Sequence, residues 1–349
     1  MKPIIRYGVA ATVVLAGTSL AACSSEPDRP RSNKIAVVVV GAKQGFGAEM
    51  MDGFTAGAEQ VGGVEVRATG TDLVDGPRQV EIFEGLTATH PGGITAFSFT
   101  PDMLAPAQAA ADKKGIPLIA LDTPPSPSSN VELMVANDNV ELGRQLAATI
   151  AGQLPPTSKG TIVVGTQSPG AQVLDQRAQG IRDEFAKLLP GVTVLGPLDT
   201  KQDPGQNLKA WRLLVKANKN ALAFLGTGEE AESLVEVRRE TKGSWLAGAV
   251  TSAPDALLAV KDGDLLTVSA EYRTEGMVAG RLQARYATTG ERLPTGWIMV
   301  PGLPITEENV NEFLTRDAST TSSNAWSRTM TDTILNDLKK YLRPLPGDS

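Results

Sequence analysis

The sequence predicts an α/β fold of two doubly wound lobes, each a parallel sheet with helices on both faces. Three observations lead there. Short β-branched runs alternate with amphipathic helical stretches along most of the chain, and repeated β-α units demand parallel strands with right-handed crossovers. The alternation runs once over residues 35–135 and restarts after Asn137-Asp138-Asn139. The chain has 349 residues, and at roughly 100–200 residues per domain two lobes with sizeable cores fit.

Each element has its own signal. Ile35–Val40 is a continuous apolar run, the pattern of a strand buried on both faces. Gly47–Val61 carries Met50, Phe54, Ala58 and Val61 on one helical face. Val64–Ala68 is the next strand. Pro77–Ala88 is the next helix, with Pro77 suited to its first position. Strands at Ile94–Phe99, Pro117–Leu121 and Val131–Val135 surround a helix at Asp102–Lys114. In the second run, the helix Val140–Gln153 stops before Pro155-Pro156. Strands follow at Thr161–Gly165, Val192–Leu195, Ala221–Leu225, Trp245–Val250 and Leu266–Ala270. Helices separate them at Val173–Leu189, Gln206–Asn218, Glu229–Thr241 and Ala253–Lys261. In the tail, Arg316–Asn324 is rich in Ser and Thr and reads as a loop. Trp326–Leu342 reads as a helix packed on a lobe, through Trp326, Met330, Ile334, Leu338 and Leu342.

Residues 1–22 read as a signal segment. Lys2 and Arg6 precede an apolar stretch from Tyr7 to Leu20, too short for a membrane span. It ends in Leu20-Ala21-Ala22-Cys23, which resembles the bacterial lipobox, where cleavage leaves a lipid-modified cysteine. An ordinary secretory signal with an Ala-x-Ala-like site is the alternative. Cys23 is the only cysteine of the chain, which favours the lipoprotein. Lys2 and Arg6 leave with the segment, so the net charge falls from −6 to −8. Residues 23–33 have no aliphatic side chain and read as a tether. The expected location is the extracytoplasmic face of the cell membrane, anchored through acylated (palmitate-type) Cys23.

Composition excludes several functions. An acidic chain with no basic run is a poor nucleic-acid binder. One Cys and one His rule out an internal disulfide and multi-Cys or multi-His metal sites. No cofactor or metal is expected. Gly226-Thr227-Gly228-Glu229-Glu230-Ala231 fits a dinucleotide fingerprint, but its two acids would repel a pyrophosphate. They read instead as acids at a helix N-terminus. His90 reads as a turn residue, and Trp211 and Trp245 as core.

A resemblance to a known family rests on an ordered set of markers. Ile35–Val40 leads into Gly45-Phe46-Gly47 and Met51-Asp52-Gly53. Gly115-Ile116-Pro117-Leu118-Ile119-Ala120-Leu121-Asp122 follows. Next come Ala136-Asn137-Asp138-Asn139 with Gly143, then Gln176-Arg177 with Gly180-Ile181, and finally Pro294–Pro304. In this order they resemble the type I periplasmic solute-binding proteins, the ribose-binding-like branch, over about Lys34–Phe313. That resemblance implies two lobes joined by a three-stranded hinge. Lobe 1 would be 34–136 plus 272–298, lobe 2 would be 137–271 plus 299–316, and 317–349 a C-terminal extension with a helix. Repressors on the same fold carry an N-terminal helix-turn-helix, whose place a signal segment takes here.

The resemblance also implies where ligand sits. Lys43 and Gln44 fall in the first loop, where relatives place polar sugar contacts, and Phe46 where an aromatic ring stacks on a sugar. Gly47 stands where many relatives have a second aromatic. Asp122 matches the acidic site after the fourth strand, and Thr123 replaces an arginine of ribose-type members. Asp175, which precedes Gln176-Arg177, stands where ribose-type pockets have arginine. Thr227, Thr251 and Glu271 follow three later strands. A carboxylate accepts two hydroxyl hydrogen bonds, and charge-assisted bonds are the stronger kind. Plainer readings stand beside these: a core role for Phe46, a turn cap for Asp122, and a solvated first-turn acid for Asp175.

The expected protein is therefore a substrate-binding lipoprotein of an ABC importer. It captures a small sugar or polyol as a monomer, hands it to permease subunits and breaks no bond. An autoinducer-2-like signal receptor is the alternative within the family. A surface carbohydrate-active hydrolase using Asp122 and Asp175 is the alternative of another class, and a sensor subunit for a membrane kinase a third.

Overall fold

The computed structural model describes residues 32–346. The signal segment, Cys23 and most of the tether lie outside them. In chain order the first run comprises β1 (Lys34–Val39), α1 (Gly45–Val61), β2 (Glu65–Gly70), α2 (Gly76–Ala88), β3 (Gly93–Phe97), α3 (Pro101–Asp112), β4 (Leu118–Leu121) and β5 (Leu133–Ala136). The second comprises α4 (Asn139–Ala151), β6 (Gly160–Thr166), α5 (Gln172–Leu188), β7 (Val192–Asp199), α6 (Pro204–Ala217), β8 (Ala223–Gly226), α7 (Ala231–Thr241), β9 (Leu246–Val250), α8 (Pro254–Lys261) and β10 (Leu266–Ser269). The chain continues through α9 (Tyr272–Thr289), β11 (Gly296–Met299), β12 (Leu303–Ile305), α10 (Val310–Arg316), α11 (Thr320–Asn336), α12 (Leu338–Tyr341) and β13 (Leu342–Arg343).

Two sheets organise these elements into two α/β lobes. The sheet of lobe 1 has the order β13-β11-β5-β4-β3-β1-β2, that of lobe 2 the order β12-β10-β9-β8-β6-β7. All pairings are parallel except β13 on β11 and β12 on β10. The central strands are buried along their length: Val37, Val38 and Val39 of β1, and Phe224 and Leu225 of β8, are inaccessible to solvent. That is the consequence of helices covering both faces.

The chain passes between the sheets after β5, after β10 and between β11 and β12. It crosses a fourth time in its tail. Val310 and Phe313 of α10 pack in the core of lobe 2 with Leu257 and Val260, whereas β13 extends the sheet of lobe 1. The expected loop at Arg316–Asn324 is mostly helix. Ser319 and Ser322 form a reciprocal capping box that opens α11 at Thr320, satisfying amide donors the first turn would otherwise leave free. The expected single helix to Leu342 breaks at Asp337 and ends in a strand.

The longest helix, α9, has no counterpart in the sequence reading. Its buried face includes Gly276, Gly280, Gln283 and Arg281, so it shows little apolar periodicity. Glycine takes the place of large side chains because α1 and α9 nearly touch. A Cβ on Gly53 would lie 2.0 Å from the carbonyl oxygen of Arg273, and one on Gly276 2.1 Å from that of Met50. This approach brings Tyr272 to 6.1 Å from Phe46, ring to ring, and so fixes the floor of the space between the lobes.

Candidate functional site

The site is built where strands end. Asp122 follows β4 and Glu271 follows β10, and both adopt left-handed backbone, with φ of 52° and 55°. Non-glycine residues hold that conformation at a cost, and such strain concentrates at functional positions. Here it turns two carboxylates into the space between the lobes.

The centre of that space is a latch. Arg177, on α5 of lobe 2, donates through Nε to Asn139 Oδ1 at 2.7 Å and through Nη1 to the Thr227 carbonyl at 3.2 Å. Its Nη2 donates to the hydroxyl of Tyr272 of lobe 1 at 3.0 Å and lies 3.8 Å from Asp122 Oδ2. Asn139 Nδ2 donates to Asp122 Oδ1 at 3.1 Å. Burial pushes the Asp122 carboxyl up despite the pull of Arg177. Burial also works against the Arg177 charge, yet Tyr272 and Asp122 together hold its pKa above the ordinary value. Phe46, Phe97, Phe99 and Tyr272 wall a cavity of about 10 Å³ beside this latch, room for about one water.

Two further contacts close the lobes on each other. Glu229 of lobe 2 accepts a hydrogen bond from the Phe46 amide of lobe 1 at 3.0 Å, and burial raises its carboxyl pKa. At the hinge, the Asn137 amide donates to Glu275 Oε1 at 2.8 Å and Asn137 Nδ2 to the Val300 carbonyl at 2.8 Å. Burial pushes Glu275 well above the carboxylate range, and Asp122 adds to it. The two acids of the Gly226–Ala231 segment thus do not serve their own helix's first turn, as the sequence had suggested. Glu229 reaches the other lobe. Glu230 folds back to accept from the Gly228 amide at 2.7 Å and the Thr200 hydroxyl at 3.1 Å.

On the other side of Tyr272 the lobes leave a chamber of about 350 Å³. Lobe 1 contributes Glu49 and Arg273, lobe 2 contributes Ser252 and Ser269, and the tail contributes Arg316, Ser323 and Ser327. Glu271 forms its acidic wall, held by Arg316 Nη1 at 2.6 Å and by Trp326 Nε1 at 3.1 Å. Burial raises the Glu49 carboxyl to about 7, against the pull of Arg316 and Arg273. A third recess, about 470 Å³, opens near the β2 and β7 edges between Val74, Phe99 and Thr100 and the segments 167–171 and 199–203. Its Asp199, Lys201 and Asp203 face solvent.

The expected ligand residues divide between these places. Phe46, Asp122 and Arg177 line the central cavity. Thr123 and Thr227 are buried nearby, their hydroxyls without a partner among the described residues, as is Gln44 Oε1. Glu271 lines the chamber. Thr251 is buried and its hydroxyl accepts from the Ala253 amide in the following turn. Lys43 is exposed and paired with Asp72. Asp175 is exposed on α5, outside the cavity that Asp122 lines, so the two do not form a shared carboxylate pair there. Reading the sequence missed Glu49, Asn139, Glu229, Tyr272 and Arg316. Among the described residues no group of three or more His, Cys, Asp or Glu could hold a metal ion.

This architecture, two α/β lobes closing on a polar cleft at their strand ends, is that of a solute-binding protein. The family model described as a periplasmic binding protein domain matches residues 35–292, and the chain belongs to that family. No curated protein matches the chain. Among solved structures, it resembles a glucose-galactose binding protein from Geobacillus stearothermophilus, with TM-score 0.71 and 18% identity over 80% of this chain and 98% of that one. It also resembles an ABC transporter solute-binding protein from Agrobacterium vitis bound with α-D-tagatopyranose (TM-score 0.73, 22% identity, 80% and 96% coverage). A third, from Bacillus halodurans, binds myo-inositol (TM-score 0.73, 17% identity, 82% and 99% coverage). At these identities the likeness is one of fold.

Proposed function

We propose that the protein captures a neutral, hydroxyl-rich solute, a small sugar or polyol, between its lobes and presents it to the permease of an ABC importer. The observation that carries this reading is the set of carboxyl acceptors in the cleft. Asp122, Glu229, Glu271 and Glu49 face it from both lobes, and the arginines among them, Arg177, Arg273 and Arg316, are each paired with an acid. Such a site offers acceptors to hydroxyls and leaves no unpaired arginine among these residues for an anion. The solved relatives named for glucose, galactose, tagatose and myo-inositol support the same solute class. The protein breaks no bond in this role.

Calorimetric titration of the purified protein with sugars, polyols and inorganic phosphate tests the reading. Saturable binding of a sugar or polyol is the expected result. Binding of phosphate alone, or of nothing in the panel, overturns it. In the same reading Cys23 is acylated and anchors the protein outside the membrane. A palmitate label incorporated by the wild type and lost in Cys23→Ala is the expected result.

A further inference from the structure

Three buried apolar side chains at the cleft belong to neither lobe's core. Ala171, Val173 and Leu174, at the start of α5, are 5%, 1% and 2% exposed and form a small cluster of their own. The residues of α5 that join the main core are Ala178, Ile181 and Phe185, further along the helix. What packs on the small cluster is Phe99 of lobe 1. Ala171 is also the N-cap of α5 and makes no side-chain capping bond, at a position where Ser, Thr, Asp and Asn are preferred. A polar residue there would serve the helix; an apolar one serves the contact across the cleft.

The central cavity is therefore lined by two chemistries. Phe97, Phe99, Val173 and Leu174 supply hydrocarbon, with the Phe46 ring 5.8 Å from that of Phe99. Asp122, Arg177 and Glu229 supply polar groups, and the buried hydroxyls of Thr123 and Thr227 lie by them without a partner among the described residues. At about 10 Å³ the closed cavity admits no sugar, so a solute enters as the lobes part. Phe99 moves with lobe 1 and Val173 and Leu174 with lobe 2, so parting the lobes opens an apolar seam. An apolar group left in that seam on closure replaces the lost contact. A hydroxyl left there gives up its water against hydrocarbon, and a buried hydroxyl without a partner is costly. Gln167 also borders the cavity, but it is half-buried and lines the recess near β7 as well.

We infer that the solute is a deoxy sugar, a hexose with a methyl group where its parent has a hydroxymethyl group. Its hydroxyl-bearing part meets Asp122 and the hydroxyls of Thr123 and Thr227. Its methyl group is held between Phe99 of lobe 1 and Val173 and Leu174 of lobe 2. These three residues set specificity, because the parent sugar would bring one more hydroxyl into the seam. This inference rests on the reading of the protein as a sugar or polyol binder.

Calorimetric titration of the full chain with deoxy sugars and their parents tests it. The pairs are L-rhamnose with L-mannose, L-fucose with L-galactose, D-fucose with D-galactose, and D-quinovose with D-glucose; D-arabinose and myo-inositol complete the panel. At least one deoxy sugar is expected to bind the wild type about tenfold tighter than its parent, or more. Val173→Thr keeps the shape of the side chain and adds a hydroxyl, and is expected to bring that ratio towards one. Unliganded melting curves check that the variant folds, and Leu174→Asn takes its place if it does not. Parents that bind as tightly as their deoxy partners in every pair overturn the inference and leave the sugar-or-polyol reading intact, and so does binding confined to D-arabinose or myo-inositol. An unchanged ratio in a folded variant also overturns it, because the preference then arises away from the seam. Binding of nothing in the panel overturns both readings.

Discussion

The Glu229 carboxylate of lobe 2 accepts the Phe46 amide hydrogen of lobe 1 at 3.0 Å. Phe46 is in the first turn of α1, whose own N-cap residue, Gln44, makes no side-chain capping bond. The cap of α1 is therefore supplied by the other lobe. Caps contribute about 0.5–2 kcal/mol, and this one exists only when the lobes are closed. Glu229→Ala is expected to shift the unliganded protein toward an open form, with Glu229→Gln intermediate because it keeps an acceptor. Small-angle scattering should show a larger radius of gyration for Glu229→Ala; an unchanged radius would remove Glu229 from the closing mechanism.

Arg177 joins Asn139 and Thr227 of lobe 2 to Tyr272 and Asp122 of lobe 1. Removing one partner of a buried pair leaves the other uncompensated, at about 3–5 kcal/mol. Arg177→Met is expected to lower stability to urea by that amount, since methionine fills space but leaves Asp122 alone. A loss below about 1 kcal/mol would show that Asn139 and solvent suffice for Asp122.

The contact of α1 with α9 predicts opposite outcomes for two glycine substitutions. At Gly53 a Cβ would lie 2.0 Å from a backbone carbonyl oxygen, an atom that cannot move without moving α9. Gly53→Ala is expected to cost about 1–3 kcal/mol or more, as overpacking does. At Gly85, inside α2, a Cβ meets nothing within 4 Å. Gly85→Ala should stabilise by about 0.5–1 kcal/mol through helix propensity. Thermal unfolding of the two variants checks both signs.

What could be read from the sequence follows from the range of the interactions involved. β1 and β4 were legible because strands buried on both faces are continuous apolar runs, and Asp122 because it directly follows one. Asp175 illustrates the limit. Its neighbours Val173, Leu174 and Arg177 turn inward on α5, and the helical register sends Asp175 to solvent. Glu229 was legible only as a helix-terminal acid, since its partner is 183 residues away. The helix α9 was hidden because close backbone approach selects glycine and not large apolar residues. The start of α11 was hidden because the serines that cap it are also the residues of loops.

Trp326 ties the C-terminal extension to the chamber wall. Its Nε1 donates to Glu271 Oε2 at 3.1 Å, and its ring lies 5.7 Å from Phe313. Trp326→Phe keeps the ring packing and removes the donor, so the expected loss is that of a hydrogen bond to a charged group, about 1.5–3 kcal/mol. A double-mutant cycle with Glu271→Gln should show coupling between the two sites. Additive losses would mean that Trp326 stabilises by packing alone.

Glu230 makes stability depend on pH with a definite sign. Its carboxyl is fully buried, and burial raises its pKa from 4.5 to about 7 despite bonds from Gly228 and Thr200. A raised pKa means that the folded state holds the proton more tightly than the unfolded state. The stabilising contribution is complete below the unfolded value of 4.5 and is lost as pH rises to about 7. The difference between those values corresponds to roughly 3 kcal/mol. Glu230→Gln cannot ionise, keeps an acceptor for the Gly228 amide, and places an amide donor against the Thr200 hydroxyl. The gap in stability between Glu230→Gln and the wild type should therefore widen in favour of the variant as pH rises from 5 to 8. Chemical denaturation across that range measures it. A gap that stays constant with pH would mean that Glu230 is already ionised in the folded protein at pH 5, its charge carried by the Gly228 and Thr200 bonds.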